Sequence, residues 1–237
     1  MTRAILLSAG TGKRLGTNIP KQYIEVSGKK IIENSLETLL ASEYIDSLVV
    51  AAELKWQEDI LKIIDKHPHK DKFMGFSSPG DTRQLSVYNA LKFLENVVDS
   101  EDFVFIHDAA RPNLCEALIK NMCISLKGHD GVIPVLPMND TVYMVNAEGK
   151  ISSLLDRNYV VAGQAPEIFM YGKYLTANEK LAKDGRILNI NGSTEPAFMD
   201  GMDILTIKGD EKNYKITTQA DLKRFCEEKT NEGLETF

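Results

Sequence analysis

Apolar residues fall along this chain in two rhythms. Ala4-Ile5-Leu6-Leu7 and Phe103-Val104-Phe105-Ile106 are short runs without alternation, and Gly131-Val132-Ile133-Pro134-Val135 and the apolar stretch within 46–52 read the same way. Such runs predict strands buried on both faces of a parallel sheet. Between them, apolar positions recur at helical spacing. Ile31, Ile32, Leu36, Leu39 and Leu40 predict a helix over 31–42. Trp56, Ile60, Leu61, Ile63 and Ile64 predict one over 56–66, and Val87, Ala90, Leu91, Leu94 and Val98 one over 86–98. A further helix is expected over about 116–127. Strand and helix alternating in this way predict an α/β fold: a doubly wound, mainly parallel sheet with helices on both faces. In such folds ligands bind outside the carboxyl ends of the strands.

The rhythm breaks between 138 and 170. Thr141-Val142-Tyr143-Met144-Val145 and Lys150-Ile151-Ser152-Ser153-Leu154 flank Asn146-Ala147-Glu148-Gly149, a β-hairpin signal with Gly149 at the positive-φ position. The inserted arm, at about 138–165, reads as a lid, a dimer contact or simple decoration. No repeat, low-complexity segment or linker interrupts the chain. Residues 1–237 are therefore expected to form one domain, with only the tail over 227–237 frayed by composition.

The first strand empties into Ser8-Ala9-Gly10-Thr11-Gly12-Lys13-Arg14, followed by Pro20-Lys21-Gln22-Tyr23. Two glycines allow a sharp turn and close approach of a ligand to backbone N–H groups, while Lys13, Arg14 and Lys21 supply positive charge. A triphosphate cradle and a plain strand-to-helix turn with solvated lysines both fit this segment. It is neither common glycine loop: Leu15 stands where a dinucleotide fingerprint needs its third glycine, and one residue between Gly10 and Gly12 breaks the Walker A spacing.

Composition narrows the choice. The chain is 43% hydrophobic, ordinary for a globular protein, and no apolar run approaches the roughly 20 residues that span a bilayer. A net charge of −6 speaks against a nucleic-acid partner, which wants a broad basic face. Cys115, Cys123 and Cys226 are odd in number and lack C-x-x-C spacing, favouring buried free thiols. With the first strand starting almost at once and leaving no room for a secretory signal, a cytoplasmic enzyme is expected.

Three further clusters are expected at the same sheet edge. Gly80-Asp81-Thr82-Arg83 with Ser86 is a glycine turn entering a helix, where Arg83 and Ser86 can face a phosphate or a base and Asp81 serves equally well as a helix cap. His107-Asp108-Ala109-Ala110-Arg111-Pro112 follows a buried strand; Asp108 suits a ribose hydroxyl or a magnesium-bound water, while His107 reads as structural. Asn213-Tyr214-Lys215-Ile216-Thr217 is expected to place Lys215 in a short strand, ahead of a Thr-x-x-Asp cap.

These four pieces, in this order over nearly the whole chain, resemble one family: the cytidylyltransferases that couple CTP to sugar-alcohol phosphates. Its members make CDP-methylerythritol for isoprenoids or CDP-ribitol for teichoic acids and capsules. The resemblance implies a Rossmann-like nucleotidyltransferase fold, Mg²⁺ as cofactor, and CTP and a small phosphorylated polyol as partners. It implies that Ser8, Ala9, Gly10, Thr11, Gly12 and Lys13 bind the triphosphate, that Gly80, Asp81, Arg83 and Ser86 line the cytosine pocket, and that Asp108 and Ala109 lie against the nucleotide. Arg14, Lys21 and Lys215 then carry catalysis. Asp108, Arg111, Thr141 and Arg157 hold the acceptor, with Thr141 and Arg157 supplied by the neighbouring chain of a homodimer whose arms embrace. Asp108 is also the candidate metal residue.

Two departures fall on the acceptor side. Where relatives carry Gln-Thr-Pro-Gln this chain has Gln164-Ala165-Pro166-Glu167, and where they favour Thr-Asp-Asp/Glu-Ala it has Thr194-Glu195-Pro196-Ala197. Methylerythritol 4-phosphate is the leading acceptor and ribitol 5-phosphate the alternative. A sugar-phosphate enzyme using another NTP, and a non-catalytic CTP or alditol-phosphate sensor, stay open.

Overall fold

A computed structural model describes residues 1–10, 12, 15, 16 and 19–234. The unbroken apolar runs form the middle of its sheet. Strands β10 (Val161–Gly163), β7 (Gly131–Pro137), β11 (Glu167–Met170), β6 (Phe103–Asp108), β1 (Thr2–Leu7), β4 (Ser47–Ala51) and β5 (Phe73–Ser77) lie side by side in that order, and β12 (Ile204–Lys208) pairs with β7. β1 runs parallel to β4 and β6, β4 to β5, and β12 to β7.

Both faces of this sheet are covered, which is why its central strands cannot alternate. Successive residues of β1 enter opposite cores: Ala4 and Leu6 pack on one side, Ile5 on the other. The first side is closed by α1 (Ile31–Ala41), α2 (Leu54–Ile64) and α4 (Glu116–Ser125) through residues such as Leu36, Ile60 and Ile119. The second is closed by α3 (Arg83–Leu94), α5 (Tyr171–Lys183) and the short α6 (Thr194–Met199) through Val87, Leu91, Tyr174 and Ala197. The C-terminal helix α7 (Gln219–Leu234) packs Phe225 with Ile216 and Ile31 in a small satellite core.

The structure departs from the sequence pattern in instructive places. β10 and β11 are antiparallel to their neighbours, because the chain returns from the arm without a crossover helix. α3 starts at Arg83 rather than 86, since the Thr82 hydroxyl accepts from Leu85 N–H at 3.1 Å and caps the helix early. β5 pairs with β4 through a register irregularity opposite Leu48/Val49 and has Gly75 at φ 138°, which hides it as a strand. Lys215, expected within a strand, lies in an extended segment outside every ladder, tied down where Ile216 N–H donates to the Ala110 carbonyl at 2.9 Å. The Thr-x-x-Asp cap is present: Asp221 accepts from Thr217 and Thr218 N–H at 2.9 and 2.7 Å.

The arm is a two-stranded hairpin of its own, β8 (Val142–Val145) against β9 (Ile151–Leu155). Gly149 takes φ 77° at the turn, and Asn146 Oδ1 accepts from Glu148 and Lys150 N–H, both at 3.0 Å. The remaining short pair, β2 (Glu25–Val26) and β3 (Lys29–Lys30), leads into α1.

Candidate active site

The carboxyl ends of β1, β6 and the start of α3 converge on a cleft of about 660 Å³ lined by Gly10, Gly12, Lys21, Arg83, Asp108 and Lys215, among others. Each is placed by local chemistry. Ser8 continues β1 outward: its N–H and hydroxyl both donate to the Ala51 carbonyl, at 3.0 and 2.9 Å. Gln22, nearly fully buried, donates its amide N–H groups to the carbonyls of Ser8 and Gly10, the latter at 2.9 Å, and so fixes the start of the glycine loop. The Tyr23 hydroxyl lies 3.2 Å from the Ser8 carbonyl while its ring stacks on Trp56 with centroids 4.1 Å apart. Burial pushes that phenol up to about 12, so it stays protonated. Gly12 has φ 64°, and a Cβ there would sit 3.2 Å from Lys21 N, so the loop folds back on Lys21 only with glycine. Across the loop, Gln219 of α7 donates to the Leu15 carbonyl at 2.6 Å. Thr11, Lys13 and Arg14 lie outside the described residues.

On the opposite wall, Gly80 packs so tightly on α3 that a Cβ would come 2.5 Å from the Leu85 side chain. Gly80 N–H donates to Ser86 Oγ at 3.0 Å, which aims the Gly80-Asp81 turn into the cleft. At the floor, Asp108 accepts from Arg83 Nε through Oδ1 at 2.9 Å and from Lys215 Nζ through Oδ2 at 2.8 Å. Burial opposes the Asp108 charge, yet Arg83 and Lys215 outweigh it and hold the carboxyl well below the usual range. Arg83 is likewise held above the ordinary arginine value: burial works against its charge, but Asp108 and Glu167 prevail.

His107 is fully buried, and burial drops it to about 4; its ring is neutral, with Nε2 3.0 Å from the Arg111 carbonyl. This hydrogen bond shapes the 108–111 turn, so His107 is structural, as the sequence suggests. The Arg111 guanidinium, expected on the acceptor, instead donates from Nη1 to the Asn213 carbonyl at 2.6 Å and tethers the segment carrying Lys215. Burial lowers its basicity. Ala109 is buried with its N–H on the Leu7 carbonyl at 3.0 Å, and it is Ala110 that reaches the cleft. Ser8 likewise supports the cleft without lining it.

Thr141 and Arg157 are exposed on the arm and do not line this cleft; Arg157 Nη1 donates to the Asn139 carbonyl at 2.6 Å. Residues that sequence reasoning left out include Gln22, Glu53, Thr82 and Thr217. Gln22 had a signal, a glutamine beside the basic Lys21, but its buried role depends on the fold.

The donor set does not fit a protein-built Mg²⁺ site. Both Asp108 oxygens are engaged by cations, and no group of three acidic, histidine or cysteine residues able to hold a metal occurs among the described residues. In this structure Asp108 is the organiser of two cations. With backbone N–H groups on one side and Lys21, Arg83 and Lys215 on the others, the cleft suits a polyanionic ligand.

Comparison with known proteins agrees. A family profile described as "IspD: 2-C-methyl-D-erythritol 4-phosphate cytidylyltransferase" matches residues 2–226. The 2-C-methyl-D-erythritol 4-phosphate cytidylyltransferase of Thermotoga neapolitana is 34% identical over 225 residues, covering 94% of each chain. The ribitol-5-phosphate cytidylyltransferase of Lacticaseibacillus paracasei is 29% identical over 226 residues, 95% of this chain and 96% of that one. Among solved structures, the 4-diphosphocytidyl-2C-methyl-D-erythritol synthase of Anaerococcus prevotii matches with a TM-score of 0.79 at 25% identity, covering 94% of this chain and 95% of the other. The Francisella tularensis 2-C-methyl-D-erythritol 4-phosphate cytidylyltransferase gives 0.76 at 28% identity, covering 94% and 97%.

Proposed function

Because the chain belongs to the 2-C-methyl-D-erythritol 4-phosphate cytidylyltransferase family, we propose that it transfers CMP from CTP to 2-C-methyl-D-erythritol 4-phosphate. A phosphate oxygen of the acceptor bonds to the α-phosphorus, the bond to the β-phosphate bridge breaks, and pyrophosphate leaves with the electron pair. The observation that carries this reading is the cluster in which Asp108 holds Lys215 and Arg83 across from the Gly10–Gly12 turn and Lys21.

The acceptor phosphate is already ionised at neutral pH, so it needs no general base. That agrees with a buried, neutral His107 turned to a backbone carbonyl. The work left to the protein is to bring two anions together and steady charge on the transferring phosphoryl group. Lys21 and Lys215 do this at the α-phosphate, assisted by Arg14. The Gly10–Gly12 backbone with Ala9, together with Thr11 and Lys13, holds the triphosphate, and Ser8 anchors the start of that loop. Gly80, Asp81 and Ser86 read the base edge, and Arg83 frames that wall. A magnesium ion would come as counter-ion of the nucleotide substrate, supplying positive charge to its phosphates alongside Lys21 and Lys215.

The acceptor site is completed by a second copy. Tyr143, Met144, Val145, Ile151 and Leu154 of the arm are each at least 50% exposed, and a lone hairpin of this kind is marginal in water. Burying these side chains in a homodimer brings Thr141 and Arg157 to the partner's acceptor phosphate. No helix among the described residues is long and apolar enough to cross a membrane. The three thiols are free but not buried, Cys115 being exposed and Cys123 and Cys226 half-buried; free thiols suit a reducing compartment, and we place the enzyme in the cytoplasm.

Ribitol 5-phosphate is the second reading, supported by the likeness to the Lacticaseibacillus paracasei enzyme. Pyrophosphate release with CTP and Mg²⁺ against methylerythritol 4-phosphate and ribitol 5-phosphate separates them. Turnover with the first acceptor is expected; turnover with ribitol phosphate alone replaces it, and silence with both sinks the assignment.

A further inference from the structure

Glu167 is a buried charge beside the cleft that the transfer reaction does not use. It begins β11 opposite Ile106, and because strand residues alternate, its side chain leaves the sheet on the same side as those of Ile106 and Asp108. That is also the side on which α3 begins with Arg83. Two carboxylates, Asp108 and Glu167, therefore flank one guanidinium.

All three nitrogens of that guanidinium are engaged. Nε donates to Asp108 Oδ1 at 2.9 Å, Nη1 to the Ser193 hydroxyl, and Nη2 lies 3.5 Å from Glu167 Oε2. Glu167 is 8% exposed; Oε1 accepts from the Thr194 hydroxyl at 2.8 Å, while Oε2 is buried with no hydrogen-bond partner among the described residues. A buried carboxylate oxygen without a hydrogen bond is costly, and the charge of Arg83 is what compensates it. Behind Arg83 the mounting is rigid. The Tyr174 hydroxyl donates to the Ser193 carbonyl at 2.8 Å, and Gln84 donates to the Tyr174 hydroxyl and to Asn178 Oδ1 at 3.0 and 2.6 Å, all within the core. Two anions, Asp108 and Glu167, thus sit among three cations, Arg83, Lys215 and Arg111.

We propose that Glu167 is a positioning residue for nucleotide binding, fixing the plane of the Arg83 guanidinium against the cleft wall while tying the turn at Ser193-Thr194 to the sheet. It does not line the cleft and touches no ligand itself. The proposal rests on the cytidylyltransferase reading. Without the Glu167 charge, Arg83 keeps Asp108 as its one carboxylate partner and the Ser193 hydroxyl as a neutral one, loosening the wall that receives the nucleotide and leaving the transferring group unaffected.

The test is a cycle of Glu167→Gln and Arg83→Lys, read by CTP titration calorimetry and by pyrophosphate release. Glu167→Gln is expected to weaken CTP binding about tenfold with kcat within about twofold and the melting temperature held. In the Arg83→Lys background the same change should cost less than about twofold, because contacting residues couple and Glu167 acts through Arg83. Unchanged CTP affinity, or the same loss in both backgrounds, overturns the proposal. If Glu167→Gln does not fold, Thr194→Val removes the hydrogen bond that aims the carboxylate: weaker CTP binding supports the proposal, and wild-type binding overturns it. Wild-type protein that binds no CTP overturns both this proposal and the function it rests on; a wild type that binds while Glu167→Gln binds equally well overturns this one alone.

Discussion

The nucleotide cleft and the hairpin arm are built on opposite plans. The cleft is finished within one chain: Asp108 is buried and doubly ion-paired, and Gln22, His107 and Arg111 are spent on holding backbone. On the arm, the apolar side chains and both implied acceptor contacts, Thr141 and Arg157, face solvent. A group held by buried partners needs nothing from outside to be in place. One presented on an exposed two-stranded ribbon gains fixed geometry only when another surface covers it. The comparison teaches that nucleotide binding is a property of the chain and acceptor binding, by our proposal, a property of the pair.

The strongest test lies in the cleft. Lys215→Ala should lower kcat about 10²–10³-fold, or about 2.7–4 kcal/mol, comparable to removing one donor from a site that stabilises developing charge. Near wild-type pyrophosphate release from a folded Lys215→Ala protein breaks the cleft half of the contrast. Next comes the cost of burying His107. Its pKa falls from 6.5 to about 4 on folding, so below pH 6.5 the unfolded chain takes up a proton that the folded one refuses. Stability present above 6.5 is therefore lost as pH drops toward 4, by about 3 kcal/mol in all. Chemical melts across that window should show the decline, and His107→Gln should flatten it.

The arm gives the middle-sized effect. Arg157→Ala should raise the acceptor KM about tenfold, near the 1.5 kcal/mol of a hydrogen bond to a charged group, with CTP affinity unchanged. Equal losses for both substrates would erase the distinction between the regions. Dilution sharpens it: turnover should fall as protein concentration drops through dimer dissociation, while calorimetric CTP affinity stays constant. The smallest effect is at the cap of α7, where Thr218→Ala should cost about 1 kcal/mol of stability, read by thermal melts.

How much was legible follows from how local each cause is. The stripe of Ile32, Leu36, Leu39 and Leu40 announces α1 because helical spacing alone puts them on one face. The Ile5 and Leu6 run announces a strand because both its faces are buried. The hairpin at Gly149 is written in four residues. By contrast, the sequence pattern assigns nothing to α5 or β12, whose pairing with β7 links residues some seventy positions apart. Arg111 reads as a ligand residue, since nothing near it in the chain reveals that the Asn213 carbonyl will arrive at 2.6 Å. Glu167 reads only as a departure on the acceptor side, because only the pairing of β11 with β6 brings it to Arg83.

By itself, then, the sequence determined the α/β alternation, the glycine turn with its cations, the arm and the family to which the chain belongs. All of these are carried by residue type and spacing along a continuous stretch. Only the folded chain sets Asp108 between Arg83 and Lys215, brings the Asn213 carbonyl to Arg111, and makes Glu167 and Arg83 meet. A charge has no fixed role until folding sets its distance to the opposite charge and removes the water between them, and those distances join segments that the chain keeps far apart.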